Sequence, residues 1–450
     1  MRYFRLNPEC HLSAGSLGAA LYDILGRRIF LLDKRTHDLL RGCETAGAPA
    51  DHLQRPEARR FLGLLVRLGL GGYHPEGTYV DKLLAGSPLE AFESLGPPPS
   101  YTVAAWTITD RCDHHCSFCP VAPGVASLQA CRTCVRRGGT AVPPASLGNP
   151  SDFLRQLAAL GIRRLQIRGG NPLLEWERLI EVLGAAAAYP RLRVGITCPG
   201  TGRSVAEIRG LYDFGNVQVD VVLHGFRERR DRYVPQPGDV FLAQCMLLDA
   251  LRQAGLSFSV TVMVSDEAVA DTQFALRWIM RRWGAIPCFA EIRQLPQDGP
   301  FRLMSRDGGR RPLHMWRDVD DFFHRLRHRA CLDGGFEIAT DGSLHPCAGI
   351  DAECGRVVGG DLGHALRNDR LYDFWKASKD RTGSCRECPL GPVCFDCLSA
   401  DLFAAKDARM SAAYCPVMSG ADLHGTPECL EHEGFLYLLG IDRGLELCPA

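Results

Sequence analysis

Between Tyr101 and Pro296 six apolar, strand-like runs alternate with helical stretches, and this alternation limits the possible folds more than any other feature of the chain. The runs are YTVAAWTIT, RLQIRGG, LRVGIT, VQVDVVLHG, SFSVTVMVS and CFAEIRQLP. Between them lie SDFLRQLAAL, LEWERLIEVLGAAAA, SVAEIRGLYDF, DVFLAQCMLLDALRQAG and DEAVADTQFALRWIMRRW. Parallel neighbours need a crossover connection, which a helix supplies, so six βα repeats predict an α/β fold with a parallel sheet or partial barrel. Functional groups of such folds gather at the C-terminal ends of the strands.

The repeats fill less than half of 450 residues, a length roughly three times the modal domain size, so further domains are expected. Residues 1–95 read as a small α+β module of winged-helix type. They hold strand-like YFRL, a hairpin candidate ALYDILGRRIFLLD around Gly26, and helical RTHDLLRGCE and ARRFLGLLVRLGL. Pro97 to Pro99 form a stiff connector into a barrel region over 100–300. Beyond it the pattern weakens into a bridging stretch, 301–345, and a cysteine-rich region, 346–450. Lys+Arg and Asp+Glu balance at 52 each, which argues against a nucleic acid or an anionic membrane as partner. No apolar run is long enough to span a bilayer and MRYFRLNPEC lacks the apolar core of a secretory signal, so a cytoplasmic location is expected.

In a reducing compartment, the clustered members of the chain's 20 cysteines, at short regular spacings, point to metal rather than disulfides. Directly after the first strand of the repeats stands Cys112-Asp-His-His-Cys116-Ser-Phe-Cys119. Three thiolates so spaced can hold three irons of a cubane cluster and leave the fourth iron open. A closed zinc site completed by His114 or His115 is the alternative for this loop taken alone. Cys10, Cys43, Cys198, Cys245, Cys288, Cys429 and Cys448 lack partners at ligand spacing and read as packing residues.

This spacing, with Phe118 before the third cysteine, resembles the radical S-adenosylmethionine (SAM) enzymes. The resemblance implies a partial (β/α)6 barrel, SAM and a 4Fe-4S cluster on Cys112, Cys116 and Cys119. Gly169-Gly170-Asn171-Pro172 resembles the family's Gly-Gly-Glu-Pro motif for the methionine amino group, with Asn171 in place of the acid. An Asn carbonyl can still accept from an ammonium, and glycines allow close approach to a ligand. At later strand ends the resemblance implies SAM contacts from Thr197, His224, Thr261 and Ile292, and an Asp231–Arg232 pair ahead of the next helix. Each has a plain alternative: threonines suit strands, and RERRDRY also reads as a solvated charge run.

Cys385-x2-Cys388-x5-Cys394-x2-Cys397, with Cys347 and Cys354 upstream and Cys415 downstream, resembles the SPASM domain, whose last gap is usually x3. The resemblance implies two auxiliary 4Fe-4S clusters, one on Cys385, Cys388, Cys394 and Cys415. The other falls on Cys347, Cys354 and Cys397, with Cys331 the nearest candidate for a fourth ligand. VVGGDLG and LYDFWKAS resemble that domain's glycine turn and short helix. Cys131-Arg-Thr-Cys134, in the long loop after Cys119, has no counterpart; it offers a ligand, a hydrogen-donating thiol, a redox pair, a zinc pair or two unassigned thiols.

The N-terminal module resembles the precursor-recognition (PqqD-like) domains of ribosomal peptide maturation. Those hold a leader peptide as an added strand, here at the edge ending RRIFLLD. Together the parts resemble a radical SAM/SPASM peptide maturase. That implies a ribosomally made precursor peptide, an external electron donor and, most simply, an oxidative crosslink, carbon–carbon or thioether. Epimerisation and sulfatase-maturase-like Ser or Cys oxidation are the alternatives within the class; a zinc adaptor is the alternative outside it.

Overall fold

The structure, a computed structural model, describes residues 3–15, 18–45, 55–83, 100–114, 116, 127–128, 148–223, 240–264, 269–291, 293–294, 316, 318–329, 331–378, 385–386, 388–393, 398 and 435–437. The N-terminal module begins with β1 (Tyr3–Leu6), β2 (Cys10–Gly15), β3 (Gly18–Asp23) and β4 (Arg28–Leu32). Two helices, Lys34–Glu44 and Pro56–Arg67, and β5 (Gly71–His74) follow. β2, β3 and β4 form an antiparallel meander, whereas β1 pairs with β5. Asp33 starts the first helix by accepting the Thr36 amide, the local solution for an orphaned N-terminal N–H. β2 and β5 are the strands that the sequence reading did not anticipate.

The meander is buried on both faces. Leu21, Phe30 and Leu32 pack on Leu40, Phe61, Leu62 and Leu65 of the two helices. Ala20, Tyr22, Ile29 and Leu31 pack instead on Trp316, Phe322, Leu390 and Val393, which lie far along the chain. Trp316 Nε1 donates to the Ile24 carbonyl at 2.7 Å, and the Tyr22 hydroxyl donates to the Pro389 carbonyl. The module is therefore docked rather than free-standing.

The main sheet contains β6 (Val103–Thr109), β8 (Arg164–Gly169), β9 (Arg193–Cys198), β10 (Val217–Leu223), β11 (Ser257–Val264) and β12 (Cys288–Glu291). These coincide with the six expected runs. Their order is β12-β11-β10-β9-β8-β6, all parallel, with connecting helices Pro150–Ala159, Trp176–Ala186, Val205–Arg209, Val240–Gln253 and Val269–Trp283. Beyond β6 the sheet continues through β14 (Gly335–Ile338), parallel to β6, then antiparallel β15 (Ser343–His345) and β16 (Gly355–Arg356). The bridging stretch 301–345, where the sequence pattern weakens, thus supplies a seventh parallel strand and a helix, Val319–Arg327. The parallel part is open along its strand order, with no closing β12–β14 pair among the described residues.

Side chains alternate across these strands. Trp106, Ile108, Leu165, Ile167, Val194, Ile196, Val219, Val221, Val260 and Val262 face the helices and form the main core. The intervening positions carry Thr107, Gln166, Arg168, Thr197, Asp220, Ser259 and Thr261, so the concave side of the sheet is polar. Two short pairings complete the architecture: β7 (Ser127–Leu128) with β13 (Arg293–Gln294), and β17 (Phe435–Tyr437) with β4. No described helix is long and apolar enough to cross a membrane.

Candidate active site

The C-terminal end of β6 runs directly into Asp110, Arg111 and Cys112, and Gly169–Gly170 at the end of β8 lie against it. The Gly170 amide donates to the Thr109 carbonyl at 3.0 Å and the Asn171 amide to the Arg111 carbonyl at 2.7 Å. A Cβ on Gly169 would stand 2.2 Å from the Thr109 oxygen, and one on Gly170 2.2 Å from the Arg111 oxygen. Gly169 also has φ of +145°. These glycines stand close against the neighbouring protein backbone, and only glycine fits such a close approach.

Asn171 is fully buried and works as a clasp. Its Oδ1 accepts the Leu173 amide at 3.1 Å, starting the short 3-10 turn Pro172–Glu175. Its Nδ2 donates to Asp113 Oδ1 at 2.8 Å and to the Thr201 carbonyl at 3.1 Å. Thr201 in turn donates its hydroxyl proton to Asp113 Oδ2 at 2.7 Å. His114 Nε2 lies 2.9 Å from the same Thr201 oxygen, so with that proton committed to Asp113 the ring must donate through Nε2. The cysteine loop, the turn after β8 and the loop after β9 are thereby tied into one unit. Asp113 and Thr201 were missed in the sequence; they meet Asn171 only through the fold.

Two of the three cysteines of the first motif are described. Cys116 is buried, Cys112 is half-buried, and neither is in a disulfide. The His114 amide donates to Cys112 Sγ at 3.4 Å. Cys119 and Phe118 lie outside the described residues, as do His224, Arg232, Ile292, Cys131 and Cys134. Thr197 is buried and its Oγ1 accepts Gln166 Nε2 at 2.7 Å; Gln166 also donates to Asp220, which the Ser259 hydroxyl meets from β11. Thr261 is buried on the same concave side, opposite Val222 in register. Nearer β14, Thr107 donates to Glu337 Oε1 at 2.6 Å and Arg168 approaches Glu337 Oε2 at 3.5 Å. Thr107, Asp110, Glu337 and Thr340 line a small cavity there.

The later cysteines fall in two places. Cys347 and Cys354 flank the turn between β15 and β16 and pack with the main core beside Leu344, Ile350 and Leu362. Cys385 and Cys388 occupy a turn closed by the Cys388 amide donating to the Cys385 carbonyl, and Cys388 touches the cluster beneath the N-terminal meander. Cys394, Cys397 and Cys415 lie outside the described residues. Cys331 is exposed in the turn ahead of β14. Burial pushes the thiol of Cys10 up to about 12, of Cys43 to about 11 and of Cys198 to about 12, as suits cysteines that only pack.

Residues 106–279 match the Radical SAM superfamily. Among individual proteins, the GTP 3',8-cyclase of Mycobacterium marinum (strain ATCC BAA-535 / M) is 32% identical over 124 residues, 26% of this chain; the chain spans 30% of that relative's length. Streptococcus suis SuiB, in its structure bound to precursor peptide SuiA, superposes over 92% of this chain and 100% of its own with a TM-score of 0.50 at 13% identity. The structure of anSMEcpe with bound AdoMet and Cp18Cys peptide superposes over 72% of this chain and 95% of its own, with a TM-score of 0.52 at 14% identity. At such identity the two superpositions establish the fold.

The superfamily implies SAM and a 4Fe-4S cluster, and the described residues fit both. Soft sulfur donors stand on a loop at the C-terminal strand ends, and the Asp113 carboxylate beside Asn171 suits a cationic ligand.

Proposed function

We propose that the chain is a radical SAM enzyme that modifies a ribosomally made precursor peptide, and that its product is an intramolecular carbon–carbon or thioether crosslink. The carrying observation is a polar concave sheet face beneath a cysteine loop and a Gly-Gly-Asn-Pro turn in a radical SAM domain. The peptide is supported by the fold shared along 92% of the chain with a protein whose structure holds its precursor peptide.

When bound, SAM on the cluster supplies the radical that takes a hydrogen atom from the substrate. The chain's own residues do the rest. Cys112, Cys116 and Cys119 hold the cluster. Asp113 and Asn171 hold the ammonium end of SAM, with Thr197, His224, Arg232, Thr261 and Ile292 along its remaining length. Thr107, Arg168 and Glu337 present polar groups to a substrate entering the concave face. Ring closure also releases one electron and one proton. Cys347, Cys354 and Cys397, and Cys385, Cys388, Cys394 and Cys415, would hold auxiliary clusters, which would supply an electron acceptor. The β7–β13 pairing links the segment after the cysteine loop to the segment after β12, and Cys131 and Cys134 follow β7 in the sequence.

Anaerobically purified protein is expected to carry about twelve irons, four for each cluster. Replacing Cys112, Cys116 and Cys119 together by Ala removes about a third of that iron and all SAM cleavage; cleavage that persists overturns the site. With a peptide encoded beside the gene, tandem mass spectrometry should show a loss of about two mass units with fragmentation suppressed between the joined residues. An unchanged mass with deuterium taken up from heavy water identifies an epimerase instead, with Cys131 or Cys134 as donor.

A further inference from the structure

β4 carries Ile29, Phe30, Leu31 and Leu32 and pairs with β3 in unbroken register from Ala19↔Leu32 to Asp23↔Arg28. Both faces of the sheet are covered, so another chain can join only along an edge, that of β2 or that of β4, and of the two β4 is the more apolar. That edge has none of the usual protection. Within β4 there is no proline and no bulge, and the charge at its start, Arg28, is held by Asp23 at 2.6 Å. A regular apolar edge of this kind accepts another strand. In the structure it has one: β17, from the far end of the chain, lies parallel to β4 with Phe435↔Ile29, Leu436↔Phe30 and Tyr437↔Leu31.

The occupant is slight. β17 is three residues long, and parallel pairing is the weaker kind per residue. It also follows a long stretch of chain, so its release need not disturb the main sheet. We propose that Phe435–Tyr437 is an internal occupant of a strand-docking edge, and that an extended apolar peptide gains β4 by replacing it. Peptide docking at this edge rests on the function proposed above; its occupation by the chain's own strand does not. Full occupancy keeps the edge from pairing with unrelated chains, and the displacing peptide must match or exceed the main-chain pairing of FLY and its neighbours.

The test needs no knowledge of the substrate. The probe is a fluorescent synthetic peptide of residues 431–442, EHEGFLYLLGID, followed by anisotropy. The full holoprotein should bind it at least tenfold more weakly than a chain ending at residue 430, and the truncated chain should not bind a probe with prolines at the positions of Leu436 and Tyr437. Neighbouring N–H groups point to opposite sides of a strand, so two adjacent prolines remove a bonded one whichever faces β4. Equal binding by the two chains, or none by a truncated chain whose circular dichroism matches the full one, overturns the inference. Should truncation prevent folding, the full chain with Leu436→Pro and Tyr437→Pro decides. Faster hydrogen exchange in residues 28–32 supports occupation, and unchanged exchange overturns it. SAM cleavage is measured alongside: its survival in all variants separates failure of this inference from failure of the proposed function.

Discussion

Asn171 shows how one side chain is read differently in sequence and in three dimensions. Its place in a Gly-Gly-Asn-Pro turn after the second repeat strand was legible, as were Cys112 and Cys116 at their spacing. The carboxylate that complements it was not, because Asp113 stands 58 residues away and only the backbone pairing of Gly170 on Thr109 brings the two together. With Asp113 Oδ1 already 2.8 Å from the amide, replacing Asn171 by an acid sets two carboxylates together in a buried place. Like charges so close force one to bind a proton or the site to open. Asn171→Asp is therefore expected to lower stability by about 2–3 kcal/mol and to weaken SAM binding, although it restores an acid to the motif. The double variant with Asp113→Asn keeps one charge and should recover most of both, read by thermal melting and by SAM binding to the reconstituted protein. Recovery in the single acid variant alone would show that Asp113 is not the complementary charge. Gly170→Ala gives the backbone counterpart: a Cβ 2.2 Å from the Arg111 oxygen must push the cysteine loop away from the turn, so SAM binding falls more than tenfold while the main sheet still melts cooperatively.

At the scale of elements, six of the seven parallel strands were legible because each is a run of apolar residues bounded by turns and too short for a helix. β14 was not. It contributes only Gly335–Ile338 inside a turn-rich stretch, and its partner β6 lies more than two hundred residues earlier, so no local pattern announces the pairing. The hairpin it opens is set by Asp341. Ser343 donates its amide at 3.0 Å and its hydroxyl at 2.6 Å to Asp341 Oδ1, and Arg356 on β16 approaches Oδ2 at 3.0 Å. Burial works to raise the Asp341 carboxyl, but these donors outweigh it and hold it at about 2. A lowered carboxyl contributes stability above its unfolded value near 4 that is lost only as pH falls through about 2, so this hairpin is insensitive to pH in the ordinary working range. Asp341→Ala should then cost about 1–2 kcal/mol at any pH between 5 and 8. Cys347 and Cys354 flank the neighbouring turn, so under the cluster assignment proposed above the same variant should carry less iron while keeping SAM cleavage. Iron analysis with cleavage assays checks the pair of outcomes, and equal loss of both would place Asp341 in the overall fold rather than the hairpin.

Over the whole molecule, the order of parts along the chain is not their order in space. The first 95 residues read as a module of their own from their strand and helix patterns and the Pro97–Pro99 connector, and their own helices do cover one sheet face. The second face is covered by Trp316, Phe322, Leu390 and Val393, which no pattern within the module reveals. Residues 1–95 expressed alone should accordingly expose Tyr22, Ile29 and Leu31 and bind a hydrophobic dye, whereas the full chain should not. His11 reports on the same junction. It lies on β2 with its ring 5.5 Å from Phe322 and 6.2 Å from Phe323, both on the helix Val319–Arg327. Burial, helped by the Lys82 cation, lowers its pKa from 6.5 to about 4. The folded protein thus keeps His11 neutral where the unfolded chain would protonate it. Stability from this group is complete above pH 6.5 and is lost as pH falls through about 4, because over that window the unfolded state binds the extra proton. The full loss is about 3 kcal/mol at most, and about 2 kcal/mol is gone by pH 5. Between pH 7.5 and pH 5.0 the wild-type chain should therefore lose more thermal stability than His11→Gln, by several degrees for the docked module. At pH 7.5 the variant is the less stable of the two, having lost the ring's packing against Phe322 and Phe323, so the two melting curves converge as the pH is lowered. Parallel pH profiles would show that the His11 ring takes up its proton without leaving the junction.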